Sequence, residues 1–109
     1  MGEIKELTKK ILEFRDERNW AQFHTGKDLA INLNVEASEL LELFLWKKSE
    51  DVNVEKLKLE LADVFYSALL LAHTYDVDVN EIVSDKLRIN AAKYPVDKAK
   101  GSNKKYDQL

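Results

Sequence analysis

Two pairs of acidic residues stand out because each pair is set in apolar sequence. Glu36 and Glu39 form the first pair, and Glu60 and Asp63 form the second. A separation of three positions places both acids of a pair on one face of a helix, about one turn apart. Like charges at that spacing repel each other, so each pair destabilises its helix unless a cation lies between the carboxylates.

The residues around both pairs predict that the acids are partly buried. Asp63 interrupts a run from 61 to 72 that is otherwise almost entirely apolar, and leucines crowd the first pair. A partly buried carboxylate must take up a proton, form an ion pair or bind a metal. Four carboxylates facing each other from two helices form the all-oxygen environment that Mg²⁺ prefers, above all where a phosphate completes the coordination. The pattern therefore predicts a Mg²⁺ site, with Mn²⁺ as the alternative ion.

Two other interpretations of the acids compete with a Mg²⁺ site. Acids three positions apart also lie on solvated helix faces, and the same spacing recurs at Glu3 and Glu6. A di-iron bundle is disfavoured, because such sites use a Glu three positions before a His, and neither His24 nor His73 has one. The absence of a glycine-rich phosphate loop also disfavours a P-loop nucleotide site.

Composition limits the class of protein. The 109 residues include 45% hydrophobic and 34% charged residues, three Gly, one Pro and no Cys, which favours one all-α domain without disulfides. The net charge of −3 argues against a nucleic-acid partner. The longest apolar run is too short to span a bilayer, and the charged residues from Glu3 onward do not resemble a secretion signal. We therefore expect a cytoplasmic protein with no membrane partner.

Hydrophobic spacing and end signals predict four helices joined by short connectors. They span about residues 2–18, 26–47, 54–75 and 78–93. Thr25 and Asp28 resemble a capping box at the start of the second helix. The third helix is apolar nearly all round in its second half, and a chain of this size cannot cover it. We therefore predict an antiparallel bundle of about four helices that is completed by oligomerisation.

The loop at 19–26 carries Trp20, Phe23 and His24. Two interpretations of the rings stay open: they stack on a planar base, or they fold back over the core of the bundle. His24 is disfavoured as a metal ligand because no second histidine lies nearby, and a hydrogen bond to a base or phosphate is favoured.

The C-terminal part of the chain is basic. From Lys86 onward there are seven basic residues and two acids, which suits an anionic ligand. The segment after Pro95 is either disordered or ordered by phosphate. A Mg²⁺ site with lysines and aromatic residues nearby indicates hydrolysis of a nucleotide phosphoanhydride.

The chain resembles the MazG-like nucleotide pyrophosphohydrolases and is most similar to their dCTP pyrophosphatase branch. The family pattern, Glu-x-x-Glu followed by Glu-x-x-Asp, is matched by Glu36, Glu39, Glu60 and Asp63. Other matching segments are 16–24, 39–46, 86–90, 93–95 and 105–106. The resemblance implies a MazG-like helical domain at 1–95 followed by a basic tail at 96–109.

The resemblance also implies an activity. That activity is Mg²⁺-dependent hydrolysis of a (deoxy)nucleoside triphosphate, dCTP or similar, to the monophosphate and pyrophosphate, in sanitation of the nucleotide pool. The enzyme would be a homo-oligomer, either a dimer or a tetramer. The implied catalytic metal ligands are Glu36, Glu39, Glu60 and Asp63. The implied contacts to the base, sugar or phosphates are Trp20, His24, Trp46, Lys86, Asn90, Lys93 and Tyr94.

Two residues depart from the branch as we expect it. Asp28 replaces an amide, and Ser67 replaces an aromatic residue near the base. Both departures bear on the preferred base more than on the chemistry. The alternatives are therefore the same reaction on another or a damaged triphosphate, or a non-catalytic helical oligomerisation module.

Overall fold

Five α-helices make up the computed structural model, which describes residues 2–109 and contains no strand in that range. They are α1 (Glu3–Glu17), α2 (Gly26–Glu42), α3 (Val54–Thr74), α4 (Val79–Lys93) and α5 (Val96–Ala99). Short 3₁₀ turns occur at Ala21–Phe23, Ser49–Asp51 and Tyr106–Gln108. The predicted all-α class is confirmed. The chain forms two compact units, one ending at Val77 and the other spanning Asp78–Leu109.

The start of α2 is fixed by a capping box. The Thr25 Oγ1 atom accepts a hydrogen bond from the backbone N–H of Asp28, and the Asp28 carboxylate accepts one from the backbone N–H of Thr25. These bonds satisfy N–H groups that have no partner inside the helix. The Thr25 hydroxyl also donates a hydrogen bond to the Asp28 carboxylate. This bond and the one from the Thr25 backbone N–H hold the pKa of Asp28 below its ordinary value. The capping box predicted from the sequence is present.

Loss of this cap should destabilise the protein. Thr25→Ala is expected to lower the free energy of unfolding by about 1 kcal/mol, measured by urea denaturation. Ser38→Ala is the matched control on the same helix, because the Ser38 hydroxyl donates only to the Asn34 carbonyl one turn earlier. That change should be neutral or slightly stabilising. Equal losses in both variants would contradict a specific role for the cap.

The end of α2 differs from the prediction. The sequence predicts a helix to about residue 47, whereas α2 ends at Glu42 and a turn follows. Trp46 has a φ of 62°, a left-handed conformation that is rare for an aromatic residue and cannot continue a helix. The apolar residues between Leu43 and Trp46 therefore belong to a turn, although their composition is helical.

The end of α1 is a Schellman motif. The backbone N–H of Trp20 donates to the carbonyl of Arg15, and that of Asn19 donates to the carbonyl of Asp16. Asn19 has the left-handed conformation that the motif requires, with a φ of 54°. The hydrophobic contact that accompanies such an ending is made here by Trp20 and Phe14, whose ring centroids lie 5.7 Å apart. The chain reversal therefore carries Trp20 back against α1.

The core of the first unit lies along α3, which contacts α1 and α2. Leu70 of α3 is 0% exposed and Leu29 of α2 is 1% exposed. Other faces of α3 stay open, since Leu61 is 40% and Phe65 is 56% exposed. The apolar composition of α3 thus exceeds what the two neighbouring helices cover. No helix among residues 2–109 combines the length and apolarity needed to cross a bilayer.

The second unit contains α4, α5 and the C-terminal turn. Tyr106 lies against Tyr94 in an edge-to-face arrangement, with centroids 6.2 Å apart. The Lys93 ammonium lies 4.9 Å from the centroid of the Tyr106 ring, which is a cation–π distance. Contacts within this unit therefore attach the residues after Pro95 to the end of α4.

Candidate active site

Acidic side chains from α2 and α3 converge in the first unit. Carboxylate oxygens of Glu36, Glu60 and Asp63 all lie within 4.8 Å of one another. Glu39, one turn after Glu36 on α2, lies within hydrogen-bonding reach of Glu36 and Glu60, and either contact becomes a hydrogen bond when one of the two carboxyl groups carries a proton. The α2–α3 contact thus brings both predicted acid pairs together.

The acids raise the pKa of their neighbours. Burial, a hydrogen bond to Glu39 and the charges of Glu39, Asp63 and Glu60 raise the pKa of Glu36 from 4.5 to about 7. Burial and the charge of Glu39 raise the pKa of Glu60. Both shifts have the direction expected when half-buried carboxylates are crowded together. Near neutral pH, the carboxyl groups of the metal-free cluster are therefore partly protonated, which reduces the repulsion between them. Partial burial was predicted for all the acids, but Asp63 is exposed, because its side chain faces the open side of α3.

The cluster fits a hard divalent cation. One oxygen each of Glu36 and Glu60 is buried without a hydrogen-bond partner. None of the four acids takes part in an ion pair within residues 2–109. The all-oxygen donor set suits Mg²⁺, whose opposite ligands lie about 4.2 Å apart at the usual bond length. A bound cation would supply the close positive charge that no ion pair among residues 2–109 gives these acids.

The raised pKa of Glu36 predicts how stability depends on pH in the metal-free protein. Unfolded Glu36 loses its proton near 4.5, whereas folded Glu36 keeps it up to about 7. The folded state binds more protons in this window, so the contribution of Glu36 is fully present below it and is lost as the pH rises through it. Urea denaturation with EDTA at about pH 5 and about pH 8 measures the loss. Glu36→Gln should reduce this loss, and an unchanged loss in that variant would contradict the assignment.

A cleft of about 430 Å³ lies beside the acidic cluster. Its lining residues are Lys10, Ile11, Phe14, Trp20, Asp63 and Tyr66. The walls are mainly aromatic: Phe14 meets Trp20 and Tyr66 edge to face, with the Phe14 and Tyr66 centroids 6.3 Å apart. The guanidinium carbon of Arg18 lies 3.8 Å from the centroid of the Phe14 ring. Asp63 belongs to both the cleft and the acidic cluster, so the two form one continuous site.

Trp20 is the predicted substrate contact that lies in this cleft. The Schellman ending of α1 places it there, and its 41% exposure leaves part of the indole open to a ligand. Trp20 therefore fits both interpretations of the loop aromatics: it folds back onto Phe14, and it also lines a cleft that a planar base could enter. Phe23, by contrast, is 63% exposed and is not part of the lining.

Four cleft residues were not predicted as site residues from the sequence: Lys10, Ile11, Phe14 and Tyr66. Ile11 and Phe14 have the spacing of an apolar helix stripe, and Lys10 lies at a polar position of the same helix. Tyr66 lies in the largely apolar run from 61 to 72. Its position one turn after Asp63 is the signal that identifies it, because residues three apart share a helix face.

Two other predicted contacts lie outside the cleft lining. His24 is half-buried, and its Nδ1 atom is shielded without a hydrogen-bond partner. Trp46 is 99% exposed. Their assignment to the nucleotide stays a prediction.

The remaining predicted contacts belong to the second unit. Lys86, Asn90 and Lys93 follow the spacing of one face of α4. Tyr94, which ends that helix, is half-buried against Tyr106. Their assignment to phosphate or sugar stays a prediction.

Comparison with known proteins identifies the family. Residues 31–109 match the MazG-like family. The chain belongs to the MazG-like family. It is 33% identical, over 114 aligned residues, to dCTP pyrophosphatase 1 from Bos taurus and from Homo sapiens. Each alignment covers 97% of this chain, together with 68% of the Bos taurus protein and 67% of the Homo sapiens protein. The resemblance inferred from the acid pairs together with the other matching segments is confirmed.

A solved structure supports the same conclusion. A pyrophosphatase from Archaeoglobus fulgidus superimposes with a TM-score of 0.78 at 35% identity, over 87% of this chain and 94% of that one. With these relatives, the enzyme class predicted from the sequence is confirmed: this MazG-like chain is a nucleotide pyrophosphohydrolase.

Proposed function

We propose that this MazG-like protein hydrolyses a (deoxy)nucleoside triphosphate, dCTP or a similar pyrimidine nucleotide, to the monophosphate and pyrophosphate in a Mg²⁺-dependent reaction. The observation that carries the proposal is the shared position of Asp63. This residue joins three converging carboxylates to a cleft with aromatic walls. A nucleotide needs both parts, since its phosphates require cations and its base requires an apolar surface.

The acids have a defined role in this proposal. Glu36, Glu60 and Asp63, with Glu39 beside them, would hold Mg²⁺ or Mn²⁺. When bound, such an ion neutralises phosphate charge and lowers the pKa of its water ligand. Glu39 would contribute a further carboxylate beside Glu36 and Glu60, because a bound cation displaces the protons that the metal-free carboxyl groups share.

The base and the phosphates would contact different parts of the chain. Trp20 and Phe14 supply the aromatic surface for the base, with His24 and Trp46 as further contacts. Lys86 and Lys93, with Asn90 and Tyr94, are proposed to bind the phosphates and the sugar, because this part of the chain carries most of the local positive charge.

The two departures from the branch have structural explanations that bear on base preference. The Asp28 carboxylate is engaged by Thr25 in the capping box, so a helix cap accounts for its presence. Ser67 is 5% exposed and does not belong to the cleft lining, whereas its neighbour Tyr66 does. An aromatic ring is thus supplied at the cleft one position earlier in the sequence.

Product analysis tests the proposal. The protein is incubated with Mg²⁺ and each of the common deoxynucleoside and ribonucleoside triphosphates, and the products are separated by ion-exchange chromatography. We expect monophosphate and pyrophosphate, formed fastest from dCTP, and no turnover with EDTA. Diphosphate and orthophosphate would contradict the reaction. Faster turnover of another or an oxidised triphosphate would favour that substrate in pool sanitation instead.

The proposed enzyme is a cytoplasmic homo-oligomer, dimer or tetramer, with an antiparallel bundle at 1–95 and a basic tail at 96–109. The exposed apolar residues of α3 support association, because an uncovered apolar surface on a helix is stabilised by burial. Sedimentation velocity measures the mass in solution. A protein that associates but neither binds Mg²⁺ nor hydrolyses any triphosphate would favour the alternative of a non-catalytic oligomerisation module.

A further inference from the structure

Tyr66 carries a hydroxyl group that has no partner in the protein. Its oxygen is shielded from water and forms no hydrogen bond within residues 2–109. The ring of the same residue lines the cleft. Burial raises the pKa of Tyr66 above its usual value, so the phenol is neutral and can both donate and accept a hydrogen bond. A buried polar atom without a partner destabilises the folded state, and its presence in a cleft wall requires an explanation.

The position of Tyr66 relates this hydroxyl to the site. Tyr66 lies one turn after Asp63 on the same face of α3, so it follows the acidic cluster along the cleft. Phe14 holds the phenol ring edge to face, and the Phe14 and Trp20 rings are themselves about two-fifths exposed. The other polar groups of the lining are Lys10, Asp63 and the indole N–H of Trp20, which can only donate. Because Asp63 belongs to the acidic cluster, few groups remain to distinguish one planar heterocycle from another.

We propose that Tyr66 determines base specificity. The base enters between the aromatic side chains of the cleft and moves them apart, and the Tyr66 hydroxyl then forms a hydrogen bond with the polar edge of the base. The proposal rests on the proposed function for the place of the base. A site that offers a buried hydrogen-bonding group discriminates against ligands that leave the group unpaired. Arg15 and Arg18 lie near Tyr66 and act on its pKa in the opposite direction to burial. A guanidinium group of the protein is therefore the rival partner for the hydroxyl.

Tyr66→Phe tests the proposal, because it removes the hydroxyl and keeps the ring. We expect kcat/KM for the preferred triphosphate to fall about fivefold to tenfold, the effect of one hydrogen bond, while the value for the poorest triphosphate changes less than about twofold. The loss should appear in KM and leave kcat nearly unchanged. Without ligand the variant should melt at a higher temperature, since a buried unpartnered oxygen is gone. Tyr75→Phe, which removes the same atom outside the cleft lining, is the control and should leave base selectivity unchanged.

Two results would overturn the role of Tyr66: selectivity equal to that of the wild type, or the same loss for every base. A binding measurement distinguishes a failure of the Tyr66 proposal from a failure of the proposed function. Nucleoside monophosphates are titrated against the metal-free protein, and the change in its tryptophan fluorescence is followed. If the wild type hydrolyses no triphosphate, the proposed function fails, yet a weaker affinity of Tyr66→Phe for one base alone would still support the assignment. Equal affinities of the two proteins for every monophosphate would contradict it.

Discussion

Glu36→Gln and Glu60→Gln are each expected to lower kcat/KM by at least about 100-fold, the upper end of the loss seen when a supporting partner of a metal ligand is removed. Each variant keeps the size of the side chain and removes the negative charge that binds the cation. Initial rates of pyrophosphate release at several Mg²⁺ concentrations measure the effect. High Mg²⁺ should recover part of the activity, because the remaining acids still bind the ion weakly.

The matched control for these variants is Glu55→Gln. Glu55 lies on α3, is exposed and pairs with Lys58 outside the acidic cluster. The kcat/KM of Glu55→Gln should therefore stay within about twofold of the wild-type value. A second consequence separates the cluster from ordinary surface charge. With EDTA at about pH 8, above the pKa of about 7 for Glu36, Glu36→Gln should raise the melting temperature. A lower melting temperature there would show that the acids do not repel each other.

The acidic cluster was predictable from the sequence because helical geometry is regular. A spacing of three fixes Glu36 with Glu39, and Glu60 with Asp63, on their helix faces whatever the tertiary structure. That the two faces meet followed from the apolar residues around each pair, which must pack. The helices themselves were predictable for the same reason, together with the capping box at Thr25.

Trp20→Ala is the second large effect, expected to raise KM about 5-fold to 150-fold, which corresponds to about 1–3 kcal/mol for the loss of an aromatic ring stacked on a base. Its kcat should change less, because the indole lies among the aromatic walls of the cleft and not among the clustered carboxylates. Steady-state kinetics with dCTP measures both constants.

Phe23→Ala provides the control for Trp20→Ala. Phe23 comes from the same loop and carries a large ring, but it is outside the cleft lining. Its KM should stay within about threefold of the wild type. Equal increases of KM in the two variants would show that the loop acts as a whole and that Trp20 has no separate contact.

The walls of the cleft were not predictable from the sequence, because they depend on how a chain reversal places one side chain. Phe14 has the spacing of an ordinary core residue, and only the left-handed conformation of Asn19 carries Trp20 back onto it. The end of α2 was not predictable either. The apolar composition of residues 43–46 suggested a continuing helix, whereas the positive φ of Trp46 ends the regular structure and leaves its indole exposed.

The central claim is that carboxylates from α2 and α3 bind a divalent cation together. Anomalous scattering from a crystal soaked in Mn²⁺, recorded at the manganese edge, tests it most directly. We predict a strong peak bounded by the carboxylates of Glu36, Glu60 and Asp63. A protein that hydrolyses triphosphates in Mn²⁺ and yet shows its anomalous peaks elsewhere would contradict the claim.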